Sequence, residues 1–105
     1  MKDTWVINYK RRCFQFNIDN NISFKIQVTI SNDSRFDLFL ENKNEDPIFI
    51  AKSNNLQILK DLVRSIESNL DVERIYKNFY PLNISNLSVI IPKLKFYYET
   101  ENHIS

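Results

Sequence analysis

Along the first half of the chain, apolar and polar residues alternate with a period of two. Trp5, Ile7 and Tyr9 alternate with Val6 and Asn8, and Phe14, Phe16 and Ile18 alternate with Cys13, Gln15 and Asn17. The clearest run places Ile22, Phe24, Ile26, Val28 and Ile30 on one side and Ser23, Lys25, Gln27 and Thr29 on the other. Phe36, Leu38 and Leu40 repeat the pattern against Arg35, Asp37, Phe39 and Glu41. This is the period of strands with one buried face and one wet face. A fifth run, Pro47-Ile48-Phe49-Ile50-Ala51, opens with a proline, which suits an edge strand or a strand start. Short polar segments separate the runs, so consecutive strands are predicted to be antiparallel neighbours.

The period changes in Lys52 to Leu70, around which the rest of the chain is organised. Leu59, Leu62, Val63, Ile66 and Leu70 recur at three- and four-residue steps, the spacing of one helix face, and Lys60, Asp61, Arg64, Glu67 and Ser68 take the other. Ser53 or Asn54 is predicted to cap it. Asp71 caps a second, shorter helix over Val72 to Tyr80, with Val72, Ile75, Tyr76 and Phe79 on one face and Pro81 ending it. The tail, Leu87 to Ile91 and then Leu94, Phe96 and Tyr98, reads as one or two strands interrupted at Pro92. The predicted fold is a single α+β domain over residues 1–105. It has an antiparallel sheet of five to six strands, with one long and one short helix packed on one face.

Composition changes this picture in two places. Glycine is absent from the 105 residues, while Asn and Ile each occur 14 times. AT-rich codons encode Asn, Ile, Lys, Phe and Tyr, so the bias points to a low-GC genome. Turns that need positive φ are therefore expected to use Asn or Asp. The segments Asp19-Asn20-Asn21, Ser31-Asn32-Asp33-Ser34 and Asn42 to Asp46 fit that role. The P-loop, the dinucleotide fingerprint and the G-x-S-x-G elbow all need glycine and are excluded. The net charge of +1 provides no overall field to attract polyanions.

Candidate chemistry is sparse. His103 and Cys13, one of each type, cannot assemble a four-ligand zinc site. Asp37 with Glu41-Asn42-Lys43 is the nearest approach to a nuclease-like acid-x-lysine pattern, and a charged turn at a strand end is the preferred explanation. Asp71-Val72-Glu73 reads as favourable charge at a helix N-terminus. Cys13 is expected on the wet face near Arg11 and Arg12, whose charges favour a lower pKa, but without a partner base it reads as a passive thiol. The Asn-x-Ser triplets at Asn21, Asn32, Asn83 and Asn86 read as chance in an Asn-rich chain. No cofactor, metal site or catalytic residue is predicted. A single cysteine and an N-terminus without an apolar signal core give the expectation of a cytoplasmic protein, with no segment long enough to span a membrane.

What remains are binding signals. Tyr9 is followed by Lys10, Arg11 and Arg12, as in single-strand binders, and Lys93, Lys95 and Tyr97 form a second basic-aromatic strip. If Phe36, Leu38 and Leu40 face inward, Phe39 faces out, and the same logic turns Tyr97 out. Rings and arginines on a wet face are the anchors of protein interfaces. The predicted binding residues are therefore Phe39, Arg35, Arg11, Arg12 and Tyr97. The expected function is that of a small non-enzymatic protein-binding inhibitor that occludes a partner macromolecule. Small inhibitors carried by phages or mobile elements share this size and bias. The alternative is a nucleic-acid-binding module using the sheet face near Tyr9 to Arg12. A homodimer paired through an open edge at Pro47 to Ala51, or through the C-terminal strand, is a further expectation.

Overall fold

A computed structural model describes residues 5–29 and 35–104, with side chains described through residue 100. Ile30, the turn expected over Ser31 to Ser34 and the side chains of Glu101 and His103 lie outside the described residues.

Among the described residues five strands, β1 (Val6–Asn8), β2 (Cys13–Asn17), β3 (Ile22–Thr29), β4 (Arg35–Asn42) and β5 (Ile48–Ser53), precede three helices, α1 (Leu56–Asn69), α2 (Val72–Asn78) and α3 (Leu87–Ile104). The strands form one antiparallel sheet in the order β1-β2-β3-β4-β5, a meander in which every neighbour in sequence is a neighbour in space. The fold is α+β, as the alternation implies.

The register runs Ile7–Phe14–Ile26–Leu38–Ala51 across all five strands, one row of the apolar face. Phe24, Ile26 and Leu38 on that face are fully buried, with Leu59, Leu62 and Ile66 of α1, Ile75 of α2, and Leu87, Ile90 and Leu94 of α3 in the same core. Each helix thus closes over the same side of the sheet. Between Leu38 and Phe39 the β4–β5 pairing shifts by one residue, and the bulge turns both Ile50 and Ala51 into the core.

Asn55, one residue beyond the predicted candidates, caps α1; its side chain accepts from the Gln57 and Ile58 amides at 3.0 and 3.4 Å. Ser53 holds Asn55 in turn, its Oγ accepting from the Asn55 N–H at 3.0 Å. Asp71 caps α2 as expected, accepting from the Arg74 amide at 3.2 Å. Tyr76 departs from the expected inner face of α2 and is exposed.

The tail corrects the prediction. It is the helix α3 and not a sixth strand, with Pro92 inside it. Leu87, Ile90, Ile91 and Leu94, spaced three, one and three residues apart, are all buried. That spacing is helical, and the apolar stripe it buries outweighs the strand preference of Val89-Ile90-Ile91. In the second turn Pro92 forfeits only the rung to Ser88. Phe96, expected inward, is 71% exposed, whereas Tyr97, expected outward, is half-buried against the core.

Candidate functional site

With all three helices on one side, no element among the described residues forms a layer above the other side of the sheet. Cross-strand register assigns its residues in rows. Val6, Gln15, Lys25, Phe39 and Phe49 form one; Asn8, Cys13, Gln27, Asp37 and Lys52 form the next. Neighbouring positions on one face of an antiparallel pair lie within about 5 Å, close enough for direct pairing.

The centre of this face is tied together. The Lys25 ammonium lies 2.7 Å from a Glu41 carboxylate oxygen and 5.5 Å from the centroid of the Phe39 ring. Phe39 meets Phe49 edge-on, with centroids 5.6 Å apart. These contacts leave Lys25 only 9% exposed although no element among the described residues stacks on the sheet there, because its stem lies along the rings while its charge is paired. One end of the face carries a second link. Arg35 Nε donates to Asp37 Oδ1 at 3.1 Å, and Thr29 Oγ1 donates to Asp37 Oδ2 at 3.0 Å. Asp37 and Glu41 are four positions apart on β4, about 13 Å along a strand, and each is committed to its own cation, so they do not form a shared site. Among the described residues no group of three or more His, Cys, Asp or Glu side chains could hold a metal ion.

The predicted residues separate into three groups. Phe39 and Arg35 lie on the open face, both half-buried by the contacts above. Arg11 and Arg12 lie in the loop joining β1 to β2, which β3 holds in place. Gln27 Nε2 donates to the Arg11 and Arg12 carbonyls at 2.9 and 3.2 Å, and the Val28 N–H donates to Arg12 at 3.1 Å. The Arg11 side chain helps line a groove of about 400 Å³ that also takes in Ser23, Glu41, Asn42 and Lys43, so it reaches over the open face. Tyr97 is elsewhere. It sits on α3, and its hydroxyl donates to the Asp19 carboxylate, which this bond and the Asn21 amide hold below the usual carboxylate range. The expectation that Tyr97 shares a face with Phe39 fails because the tail is a helix.

Cys13 is also corrected. It does occupy the open-face register, but it is 2% exposed. Burial pushes its thiol pKa up, against the opposing pull of Lys25 and Arg11. A buried thiol is a poor nucleophile.

Sequence reasoning passed over Phe49 as a member of this assembly. The signal for Phe49 was present, since it alternates with Ile48 and Ile50 and so points away from the core. On the helix side, Tyr76, Tyr80 and Ile58 are exposed near one another, beside Phe79 and Leu82.

Compared with protein-family models, curated proteins and solved structures, the chain gives no match. No helix among the described residues is long and apolar enough to cross a membrane.

Proposed function

We propose that this protein is a non-enzymatic binding module that occludes a surface of a partner protein with the open face of its sheet. The observation that carries this reading is the cross-strand assembly Lys25–Glu41–Phe39–Phe49, which is fixed in place with no layer above it among the described residues. A preordered surface of rings and paired charges loses little conformational entropy on docking, and rings and arginines are the side chains in which contact energy concentrates. Arg35 and Arg11 flank the rings and supply the polar rim.

Nucleic-acid binding is the second reading, favoured by the loop from Tyr9 to Arg12, where an exposed ring stands beside three cations. Against it, Lys25 and Arg35 are neutralised by Glu41 and Asp37, and the ammonium over Phe39 takes the ring face that a base would stack on.

The test is capture of partners on immobilised protein, comparing wild type with Phe39→Ala, Arg35→Glu and, on the helix side, Tyr80→Ala. Phe39→Ala should weaken a stoichiometric protein partner by more than about 1 kcal/mol while Tyr80→Ala leaves it unchanged. Loss with Tyr80→Ala alone would move the interface to the helix side. A captured nucleic acid whose log K falls by about 0.9 per neutralised phosphate with log salt would replace the reading with the second.

A further inference from the structure

We propose that the outer edge of β1 accepts an extended, acidic segment of a partner protein as a sixth strand. The inference concerns a surface separate from the open face and does not depend on that reading.

A five-stranded meander has two edges, and this one treats them differently. The β5 edge is closed by the chain itself. Ala51 bridges Ile84, the Ser85 N–H donates to the Ile50 carbonyl at 2.6 Å, and Asn86 Nδ2 donates to the Phe49 carbonyl at 2.8 Å. The expected homodimer contact at Pro47 to Ala51 is thereby filled. At β1, among the described residues, no backbone group of Val6 to Asn8 bonds anywhere but to β2. The strand is short, three residues, but otherwise carries none of the devices that protect an edge: it holds no proline, no charge and no bulge. Val6 and Ile7 are 49% and 48% exposed, and register puts them on opposite faces. An added strand would therefore find apolar contact on both of its sides, together with unpaired backbone groups.

Charge selects the occupant. From Trp5 to Ile18 the chain carries Lys10, Arg11 and Arg12 and no acid. From the covered side, α1 adds Lys60, whose ammonium lies 5.7 Å from the Trp5 ring centroid and 5.3 Å from that of Phe14. The matching segment pairs apolar residues with Val6 and Ile7 and carries carboxylates where it passes the Tyr9 to Arg12 loop. A second copy would bring only Asp3, with Lys2 beside it, to that loop, and so offers its three cations no net negative charge. Nucleic acid would use the cations but leave the backbone edge and the aliphatic pair without partners.

The probe is a short synthetic peptide alternating valine with glutamate, titrated against isotope-labelled protein beside a counterpart with lysine in place of glutamate. The acidic peptide should shift the amide signals of Val6 to Asn8 and slow their hydrogen exchange, and the lysine peptide should bind at least about tenfold more weakly. Ile7→Asp should lose the acidic peptide by about tenfold or more, whereas Ile7→Lys and Phe39→Ala should keep it within about threefold. Circular dichroism confirms that each variant is folded. Equal response to both peptides, no edge protection at millimolar peptide, or shifts confined to the Phe39 face would each overturn the proposal. So would a wild-type dimer that Ile7→Asp dissociates, which would make a second copy the occupant. Oligonucleotide binding through the loop with no protection of Val6 to Asn8 would overturn it in favour of nucleic acid.

Discussion

On the covered face of the sheet Phe24, Ile26, Leu38 and Leu40 are sealed against the helices, while one position along each strand, on the other face, Lys25, Phe39 and Glu41 meet water or one another. The same two central strands supply both sets. The covered face is held by non-directional burial, in which no single contact is specified. The open face is held by a few directional links between particular partners. The first arrangement tolerates exchange of similar volumes and is costly to hollow out; the second responds according to which partner of a link is removed and carries less of the total stability. A surface that must stay ordered without a covering layer needs links of the second kind.

The comparison is most exposed at Leu62, fully buried in the centre of α1. Leu62→Ala removes about three methylene-sized groups and leaves a cavity, and should cost about 2–5 kcal/mol in denaturant unfolding. A loss below about 0.5 kcal/mol would mean that the covered face does not carry the fold.

Next comes the ion pair of the open face. The Lys25 and Glu41 side chains are 11% and 22% exposed, so the cation is the more enclosed partner. Glu41→Ala strands an enclosed charge and should cost about 2–3 kcal/mol, less than for a fully buried pair because water still reaches the site. Lys25→Met keeps the stem against Phe39 and leaves a carboxylate that solvent can reach, so it should change stability by about 1 kcal/mol or less. Equal losses from both substitutions would show the pair to be an ordinary surface bridge or a fully buried one, according to their size.

Two hydrogen bonds from adjacent tyrosines fasten α3 to the remainder, and they set opposite ends of the pH profile. The Asp19 carboxyl is held below its usual range chiefly by the Tyr97 hydroxyl. Its contribution is present above the ordinary carboxylate pKa of about 4 and is lost as pH falls through the folded value. Tyr98, which donates to Glu67 at 3.0 Å, has its pKa pushed up, first by burial and then by the Glu67 charge. Its contribution is complete below the ordinary tyrosine pKa of about 10 and is lost as pH rises beyond it. Denaturation midpoints against pH should therefore fall at both ends. Tyr98→Phe should flatten the alkaline limb and spare the acid one; an unchanged alkaline limb would count against the assignment.

How much of this was legible depended on which rule the residues obeyed. The period-two runs located the strands and their covered face, and the stripe from Leu59 to Ile66 located α1, because burial and local geometry agree there. At α3 they conflict. The run Leu87 to Ile91 has the β-branched content of a strand, and Pro92 resembles a break, yet the three-and-four spacing to Leu94 was present in the sequence. Reading residue type over spacing turned Tyr97 outward and moved it onto a sheet to which it does not belong. The open-face links were less legible, since the choice of Glu41 as the partner of Lys25, and of Phe39 beside Phe49, depends on register and on a bulge. Which edge is closed was not legible at all, because the segment that closes β5 lies more than thirty residues away in sequence.

The smallest expected effect contrasts the two sides of the sheet at backbone level. Without glycine, left-handed positions were expected to be filled by Asn or Asp. Asn86, beside the closed β5 edge, meets that expectation with φ 63°. Arg12, beside the open β1 edge, does not; it is held at φ 52°, with its carbonyl engaged by Val28 and Gln27. A side chain in that region costs about 1–2 kcal/mol through the clash of Cβ with the following carbonyl. Arg12→Gly removes the clash but enlarges the unfolded ensemble, which returns about 0.5–1 kcal/mol. The net expectation is a gain of about 0.5–1 kcal/mol, with Arg12→Asn in between because Asn tolerates the left-handed region. Chemical denaturation of both variants decides it. A loss of stability with Gly would mean that the Arg12 side chain holds the loop against its neighbours, so that the β1 side is secured by side-chain contacts and not by the β3 hydrogen bonds alone.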